Sequence, residues 1–411
     1  MKPVNVGLLG HGTVGRAFAE LVEQRADEIE ATTGRRVELC GVLTRSRGSF
    51  EDILERADVI VELIGGIDPA LQYVTRSLAR GRHVVSANKQ LLSRHGEELS
   101  AQAREAGVQL RFEAAVAGVV PVIRVLQESL AAADIKRIHG IVNGTTNFIL
   151  TEMARAGVTY EQALADAQAK GYAEADPADD VDGRDAAAKM AILARLAFRT
   201  RVRLQDVRYE GIERITTDDL EYARELRLGL KLIGTAELID SRLSVRVHPA
   251  FLYPDHPLAS VNGPYNAVTV ESDAITEVTM SGPGAGGSQT ATAVLGDVLS
   301  AMASPPLPRG PALSEPLREL PIAEDVVSAF YLHMEVADRP GVLGQIAQVL
   351  GMQEVSVKSV IQRGLGDNAR LVMVVHEVLE SKFFAACDLI AGLDFMRSPP
   401  RAIRVIEEEF N

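Results

Sequence analysis

The sequence predicts an α/β protein that begins with a doubly wound parallel sheet. Two observations predict it: short β-branched runs alternate with helical patterns over residues 1–130, and a glycine-rich turn directly follows the first run. Strands separated by helices of this length typically form a parallel sheet with helices on both faces. The predicted strands are Val4–Leu9, Val37–Leu43, Asp58–Ile64, His83–Ser86 and Val108–Phe112, and the predicted helices are Val14–Glu30, Pro69–Arg80 and Leu91–Ala106.

A mixed α+β region is predicted at 131–303, and its last part, 285–303, is a candidate to complete the first domain. The segment 304–327 is predicted to be a linker because its proline-rich start, 304–316, breaks both the helical and the strand period. Residues 328–405 then follow a β-α-β-β-α-β pattern. The predicted elements of these two regions are strands at Ile135–Val142, within Ala236–Val247 and within Val268–Val278, helices through Phe198, then strand Tyr331–Val336, helix Val342–Leu350 and strand Val355–Ile361.

Composition narrows the class of protein. A hydrophobic content of 46% with 24% charged residues is ordinary for a globular protein, and no apolar run approaches the length of a membrane span. The two cysteines, Cys40 and Cys387, are far apart in sequence, and no signal peptide is visible, so we expect a cytoplasmic protein. The net charge of −13 and the lack of a basic cluster argue against nucleic acid as a partner.

The first glycine-rich turn is the pattern Gly10-x-Gly12-x-x-Gly15, between an apolar strand and a helix. Glycines in this context allow a tight turn and a close approach of the backbone to a pyrophosphate. The helix begins near Thr13 and Val14, and its N-terminus would face the phosphates. We therefore predict a Rossmann-type dinucleotide site in residues 1–130, the alternative being a glycine turn that serves packing alone.

The turn after the second predicted strand bears on the choice of cofactor. An acidic residue there holds the ribose hydroxyls of NAD, whereas arginine accommodates the 2′-phosphate of NADP. This chain has Arg45 and Arg47 and no carboxylate at 41–47, which favours NADP and leaves NAD open. A second glycine-rich turn, 281–287, precedes a predicted helix, and its Gly284 either approaches the cofactor or belongs to a plain loop.

The segment 171–189 carries six carboxylates within twelve residues and ends on a lysine. Such charge repels itself unless a cation lies among it. A helix is predicted from Gly183, so Asp185 and Lys189 would be neighbours one turn apart. Lysine is scarce, with 8 against 35 arginines, and unlike arginine it can release a proton in a protein. Lys89 and Lys189 are thus candidates for proton transfer, the alternative being a solvated acidic loop with a surface ion pair.

These motifs closely resemble the homoserine dehydrogenase family, in its monofunctional form with a C-terminal ACT regulatory domain. The resemblance covers the glycine motif, the segment from Ser86 to Lys89, the segment 143–150, and the acidic loop. It implies reversible NAD(P)H-dependent reduction of L-aspartate 4-semialdehyde to L-homoserine, with 131–303 as the substrate and oligomerisation domain. A homodimer or homotetramer is expected.

The resemblance also implies roles for individual residues. Lys189 would donate the proton to the carbonyl oxygen, Lys89 would lie beside the carbonyl and nicotinamide, and Asp185 would orient them. Two ammonium groups close together would lower each other's pKa. Gly171, Glu174 and Asp180 would bind substrate, while Asp176, Asp179 and Asp182 would only shape the loop. Ser86, Lys89 and Gly284 would contribute to the cofactor site together with Arg45 and the glycine motif.

Two further sites follow from the same resemblance. Glu113 with the backbone near Val116, Gly118 and Val120 is similar to the family's sodium site, although a lone glutamate at a strand end is more often a cap. Residues 334–343 are similar to the opening of an ACT domain, in which Asp338 and Gly341 would help bind an end-product inhibitor. L-threonine is the expected effector, and the alternative is a domain that serves only assembly.

Two other functions compete with this interpretation. One is another NAD(P)-dependent oxidoreductase acting on an amino-acid-derived aldehyde; a thioester-forming enzyme would need a cysteine nucleophile, and Cys40 and Cys387 are poorly placed for it. The other is a non-catalytic amino-acid sensor, against which the intact Asp185 and Lys189 pair argues.

Overall fold

Five parallel strands in the order β2-β1-β3-β4-β5 form the first sheet of the computed structural model, which describes residues 3–303, 317–364 and 369–406. The strands are β1 Val4–Leu9, β2 Val37–Leu43, β3 Val59–Glu62, β4 His83–Ser86 and β5 Leu110–Arg111. The helices of this region are α1 Thr13–Gln24, α2 Ala26–Thr33, α3 Phe50–Arg56, α4 Ala70–Ala79 and α5 Lys89–Glu105. The predicted parallel α/β sheet is confirmed.

The predicted helix Val14–Glu30 is wrong as a single element, because Arg25 has non-helical angles (φ −108°, ψ 11°) and separates α1 from α2. Apolar residues on both sides of the break, Val22 and Ile29, are buried and keep the helical spacing. A periodic pattern therefore continues across a break that only the backbone geometry reveals.

The second sheet has ten strands and runs through the rest of the chain in the order β11-β10-β6-β8-β9-β15-β12-β14-β13, with β7 paired to β9. Its first six strands in sequence are β6 Ile135–Ile141, β7 Arg208–Tyr209, β8 Gly229–Ile239, β9 Arg242–Leu252, β10 Tyr265–Ser272 and β11 Thr276–Pro283. Helices α6 Val122–Arg124, α7 Gly144–Ala156, α8 Tyr160–Ala169, α9 Ala178–Val181, α10 Arg184–Phe198, α11 Thr217–Glu225 and α12 Gly287–Ala301 accompany them. Short 3₁₀ turns lie at Glu113–Ala115 and Leu204–Asp206, and a π-helical turn at Val125–Ser129 follows α6.

The two ranges predicted to contain strands do contain them, but each range spans a hairpin turn between two strands. The range Ala236–Val247 crosses the turn at Asp240 and Ser241, where both residues have positive φ (48° and 64°). Two consecutive left-handed residues are typical of a two-residue hairpin turn, usually built from Asn or Asp with Gly. The range Val268–Val278 likewise crosses from β10 into β11, and β11 extends to Pro283, into the predicted glycine turn at 281–287.

The last part of the chain has the predicted order of elements: β12 Val327–Val336, α13 Val342–Met352, β13 Val357–Arg363, β14 Ala369–Leu379, α14 Glu380–Ala391 and β15 Arg401–Ile406. Strand β15 pairs in parallel with β9, with Arg404 opposite Ala250, so this unit extends the mixed sheet. Tyr331 is fully buried and packs against Phe251 with ring centroids 5.0 Å apart. The identification of this C-terminal unit as an ACT domain stays a prediction.

The first half of the predicted linker, 304–316, lies outside the described residues. Its second half is not a free linker, because Arg318 and Ile322 form short bridges with Thr200 and Leu243. Helix α12 returns to the first sheet, where Val294 and Val298 pack with residues of β1 and α1. The division into domains at 130, 303 and 327 stays a prediction.

Candidate active site

Asp185 is the centre of a buried cluster of charges where α5 meets α10. One carboxylate oxygen forms an ion pair with Nζ of Lys89, and the other lies 2.7 Å from Nζ of Lys189. The side chain of Asp185 is 1% exposed, against 14% for Lys189 and 35% for Lys89. The lysines therefore lie toward the open side of the cluster, while the carboxylate is enclosed behind them.

Local structure explains how each lysine reaches this point. Asp185 and Lys189 lie one turn apart in α10, as predicted. Lys89 is the first residue of α5, whose start is fixed by Asn88: the Asn88 side chain accepts a hydrogen bond from the backbone N–H of Leu91 at 3.1 Å. The sequence separation of 96 residues between Lys89 and Asp185 is closed by the packing of α5 on α10.

Asn143 is a site residue that the sequence analysis did not single out. Its amide nitrogen donates to Asp180 at 2.7 Å and to Asp185 at 2.8 Å, and its amide oxygen caps α7 by accepting from the N–H of Thr146. One residue earlier, the carbonyl of Val142 accepts a hydrogen bond from Nζ of Lys189 at 2.7 Å. An Asn at a strand end just before a helix is a sequence signal of a cap, but not of these two carboxylates.

The charges in the cluster change one another's pKa. Burial alone would raise the pKa of Asp185, but Lys189 and Lys89 lower it to about 2. Burial alone would lower the pKa of Lys89, yet its attraction and hydrogen bond to Asp185 raise it above the ordinary value. The expectation that the two lysines lower each other's pKa is therefore wrong for Lys89, because Asp185 lies between them. Burial and the charge of Asp185 raise the pKa of Asp180.

The acidic loop leads into this cluster from the solvent side. The hydroxyl of Thr145 donates to the carbonyl of Tyr172 at 2.7 Å, which holds the turn at Gly171 (φ +75°) against the start of α7. Glu174 is exposed, and Asp180 is half-buried. The structure thus places Gly171 beside the start of α7 and Asp180 within the cluster itself. Glu174 lies in the exposed part of the loop, where its carbonyl accepts a hydrogen bond from Gln168 of α8 at 3.2 Å.

The remaining loop carboxylates bond to the loop itself. Asp176 accepts from the N–H of Ala178 at 3.2 Å, and Asp182 accepts from the N–H of Arg184 at 2.8 Å. Asp179 lies 3.9 Å from the Arg184 guanidinium. These contacts shape the loop and the start of α10.

The glycine motif has the geometry of a turn that a dinucleotide phosphate can approach. Gly10 has a φ of +101°, and a Cβ on it would lie 2.6 Å from the carbonyl oxygen of Leu63. Gly12 precedes α1 with open space around it, and a Cβ on Gly15 would collide with the Gly10 carbonyl. Thr13 and Val14 begin α1 beside this open space, with Thr13 exposed and Val14 half-buried.

Of the other predicted cofactor residues, Arg45 and Ser86 lie at the carboxyl ends of strands in the same sheet, whereas Gly284 follows a strand of the second sheet. Arg45 is exposed in the turn after β2, and Ser86 ends β4 with no exposed surface. Gly284 follows β11, where a Cβ would collide with Asn266. A Cβ on Gly118 would in turn collide with the Gly284 carbonyl, so Gly284 contacts the predicted cation loop.

The predicted cation loop surrounds a second buried carboxylate. Glu113 accepts hydrogen bonds from the backbone N–H groups of Ile123 and Arg124 at 2.7 and 2.9 Å. Burial and the nearby Asp297 raise the pKa of Glu113 to about 7. Among the described hydrogen bonds, none goes to the carbonyls of Val116 or Gly118, whereas the carbonyl of Val120 accepts from Val122.

The predicted regulatory residues lie far along the chain from this site. Asp338 is exposed and accepts a hydrogen bond from Gln362 of β13 at 3.1 Å. Gly341 precedes α13 with a φ of +96°, a conformation that favours glycine. Within the described ranges, no three His, Cys, Asp or Glu side chains are grouped as metal ligands, and no helix is long and apolar enough to cross a lipid bilayer.

Comparison with known proteins identifies the family to which this chain belongs. The family model for homoserine dehydrogenase matches residues 121–299, and the model for its NAD-binding domain matches residues 10–113. Homoserine dehydrogenases of Mycobacterium tuberculosis and Pseudomonas aeruginosa are 42% and 40% identical to the chain over 98% of its length and 98% and 99% of theirs. The chain belongs to the homoserine dehydrogenase family.

Solved structures agree with this assignment. A homoserine dehydrogenase from Thiobacillus denitrificans matches 99% of both chains with a TM-score of 0.93 and 36% identity. A hyperthermophilic archaeal homoserine dehydrogenase, solved in complex with NADPH, covers 75% of this chain and 99% of its own at a TM-score of 0.64 and 27% identity. The chain is thus an oxidoreductase of amino-acid biosynthesis that interconverts L-aspartate 4-semialdehyde and L-homoserine with a nicotinamide cofactor.

Proposed function

We propose that Lys189 is the proton donor when this homoserine dehydrogenase reduces the aldehyde, and the proton acceptor in the reverse direction. The observation that carries the proposal is the anchoring of its ammonium group. An ammonium group has three protons, and two of them are used by Asp185 and the Val142 carbonyl, each at 2.7 Å. The third is available to a substrate oxygen on the open side of the cluster.

The other two charged residues would support this transfer. Nicotinamide, when bound, supplies or accepts the hydride at the carbonyl carbon. Negative charge then grows on the oxygen, where the cation of Lys89 stabilises it, and its raised pKa keeps it protonated over the neutral range. Asp185 holds both ammonium groups at fixed positions, which is a positioning role as well as an electrostatic one.

Substrate binding is assigned to the acidic loop. The α-ammonium group of the substrate is a cation, and Asp180 and the exposed Glu174 are the carboxylates of the loop that the capping contacts leave available. Gly171 has the positive φ of the turn that precedes Glu174, and the bond from Thr145 to the Tyr172 carbonyl holds this turn to α7. In this arrangement the substrate ammonium balances carboxylates that the two lysines do not.

The test of the proton donor is Lys189→Ala, with Lys170→Ala as the matched control. Lys170 is an exposed lysine whose ammonium bonds to Asp166 on the surface of α8. Loss of a general acid costs about a hundredfold or more in kcat, so we expect that loss for Lys189→Ala with cofactor affinity unchanged. Near-normal turnover of Lys189→Ala, measured as absorbance at 340 nm, would overturn the assignment.

For the cofactor, we propose a preference for NADP over NAD. The turn after β2 exposes Arg45 and Arg47 and has no carboxylate at its tip, which suits the 2′-phosphate. The glycine motif, Ser86, Lys89 and Gly284 would complete the site. Arg45→Ala should raise KM for NADP⁺ and leave KM for NAD⁺ nearly unchanged; an equal change for both cofactors would contradict the preference.

We also propose that the loop at Glu113 holds a sodium ion with a structural role. The residues present fit a monovalent cation: a buried carboxylate with a raised pKa and the carbonyls of Val116 and Gly118, which accept none of the described hydrogen bonds, with Val120 next to them. Because this loop contacts Gly284, the ion would stabilise the region between the two sheets.

Regulation is assigned to the C-terminal unit, proposed as an ACT domain that binds L-threonine as inhibitor. Asp338 and Gly341 belong to the strand-to-helix turn where a small amino acid would bind. We further propose that the enzyme is cytoplasmic and acts as a homodimer or homotetramer. Because β15 and Tyr331 are part of the mixed sheet and its core, truncation would damage the fold. Asp338→Ala in the full chain is the better test: it should reduce threonine inhibition and keep the uninhibited kcat.

A further inference from the structure

A buried glutamate outside the charge cluster joins the two loops that flank the cofactor and catalytic sites. Glu62 is the last residue of β3 and has no exposed surface. It lies between the loop after β3 and the loop after β4, and it is not among the residues that the sequence pattern or the proposed mechanism uses. A buried carboxylate is costly unless its oxygens are hydrogen-bonded, so its contacts indicate what it is for.

The first oxygen of Glu62 holds the loop after β3. It accepts hydrogen bonds from the backbone N–H groups of Ile64 at 2.8 Å and Gly65 at 3.2 Å. This loop packs directly against the glycine turn, because a Cβ on Gly10 would lie 2.6 Å from the carbonyl oxygen of Leu63 and 3.0 Å from the nitrogen of Ile64. The position of the loop therefore affects the space in which a dinucleotide would lie.

The second oxygen of Glu62 holds the segment that leads to Lys89. It accepts a hydrogen bond from the hydroxyl of Ser86 at 2.7 Å, and Ser86 in turn accepts one from the N–H of Asn88 at 3.1 Å. The amide of Asn88 donates to the carbonyl of Gly66 at 2.6 Å, back in the loop after β3. Since the Asn88 side chain also caps α5, one connected set of bonds runs from Glu62 to the residue before Lys89.

We propose that Glu62 is a positioning residue that couples the cofactor-binding loops to Lys89. Through Ser86 and Asn88 it sets where α5 begins, and so where the Lys89 ammonium meets Asp185. A ligand that orders the loop at 64–66 thereby also orders Lys89. The inference rests on the proposed catalytic role of Lys89 and extends it to the residue that places it.

The test uses two substitutions that break the set at different points. Glu62→Gln keeps the shape but replaces one acceptor oxygen with an NH₂ donor, so the hydroxyl proton of Ser86 loses its acceptor. Ser86→Ala removes the same bond from the other side. Ser77→Ala is the matched control: Ser77 is equally buried in the same region, but its hydroxyl donates only to the Tyr73 carbonyl of its own helix.

At saturating cofactor we expect kcat to fall about tenfold or more for Glu62→Gln and about threefold for Ser86→Ala, because displacement of a catalytic group by a fraction of an ångström is costly. Ser77→Ala should keep kcat within about twofold. A Glu62→Gln protein that loses only cofactor affinity or thermal stability, with unchanged kcat, would overturn the proposal. If Glu62→Gln does not fold, Ser86→Ala decides by the same criterion.

Comparison with Lys89→Met separates this inference from the role of Lys89. Lys89→Met must itself lower kcat; if it does not, the proposed function of Lys89 fails. If it does, adding Glu62→Gln should change kcat by less than about twofold, since a residue that acts through Lys89 has nothing left to position. The same fold loss in both backgrounds would leave the role of Lys89 intact and disprove the coupling.

Discussion

Two buried carboxylates in this enzyme, Asp185 with its half-buried neighbour Asp180 and Glu113 with its buried neighbour Asp297, show opposite pKa shifts. In each pair burial disfavours ionisation, and a second acid lies near the first. Yet the pKa of Asp185 is lowered to about 2, whereas that of Glu113 is raised to about 7. The difference lies in the cations beside them.

Asp185 has an ammonium group on each of its oxygens, Lys89 and Lys189. In the described contacts the Glu113 carboxylate accepts only from backbone N–H groups, and Arg124, whose charge acts on it, has its guanidinium 3.4 Å from Asp297 and a side chain that is 35% exposed. The two lysines therefore outweigh the effect of burial on the pKa of Asp185, whereas backbone N–H groups alone do not outweigh it for Glu113. The first pair is complete in the protein chain, while the second is one positive charge short, which supports the proposed sodium ion.

The largest effect on activity is expected when the charge of Asp185 is removed. Asp185→Asn leaves the two lysines to repel each other, so the pKa of Lys89, which Asp185 now raises, should fall. We expect kcat to drop about a hundredfold or more and the pH profile of kcat to shift toward lower pH. Steady-state rates from pH 6 to 10 measure both effects.

The control for that experiment is Asp176→Asn, which changes an exposed loop cap and should keep kcat within about twofold. An unchanged pH profile in Asp185→Asn, despite a folded protein, would show that Asp185 does not govern the lysines.

A second prediction concerns the pH dependence of stability at Glu113. Its folded pKa of about 7 is above the unfolded value near 4.5, so the folded state holds a proton that the unfolded state has lost between these pH values. Without sodium, the free energy of unfolding should fall as pH rises from about 4.5 to about 7, by at most about 3 kcal/mol. Saturating sodium should reduce this loss, since a bound cation lowers the folded pKa.

Comparison of the native chain with Glu113→Gln isolates this effect from the buried histidines, which also titrate. The variant cannot ionise, so the difference between the two proteins in urea unfolding should change over this pH range in choline buffer and change less in sodium buffer. Equal pH slopes for both proteins in choline would contradict the prediction.

A smaller loss of stability is expected at Arg195, a buried cation for which the described contacts include no ion pair with a carboxylate. Arg195 of α10 donates to the Leu92 carbonyl of α5 from both terminal nitrogens at 3.2 Å, and burial lowers its pKa to about 10. A Cβ on Gly96 would lie 2.5 Å from its Nη2. Gly96→Ala should thus displace the guanidinium and cost about 1–3 kcal/mol of stability, as overpacking does, measured by urea unfolding.

Gly344→Ala in α13 is the control, because a Cβ there meets no atom within 4 Å. In an exposed helix position alanine is favoured over glycine, so this variant should be neutral or slightly stabilising. A similar result for Gly96→Ala would mean that Arg195 is not held by the close approach of the two helices.

The parts of the fold that were predicted correctly are those whose signals are local. Strands β1, β2 and β4 have the predicted limits, because each is a short apolar run bounded by turn residues. The break at Arg25 and the hairpin turn at Asp240 were missed, because the apolar pattern continues across the first and the second lacks a glycine.

The residues of the candidate site also differ in whether a local sequence signal indicates them. Asp185 and Lys189 could be paired from their spacing in one helix, and Gly10, Gly12 and Gly15 from their place between strand and helix. Asn143 and Glu62 gave no such signal, because an amide at a strand end and an acid in an apolar strand are each common for structural reasons alone.

The amino-acid sequence by itself determined the class of fold, the dinucleotide motif and the helix turn that joins Asp185 to Lys189, since all of these depend on residues close together in the chain. Tertiary structure decided that Lys89 meets the other side of Asp185, that β15 extends the mixed sheet beside β9, and that Glu113 forms none of the ion pairs described in this part of the chain. The physical reason is that the pKa of a group and the neighbour of a strand depend on residues as far as 184 positions away in the chain, which packing alone brings together.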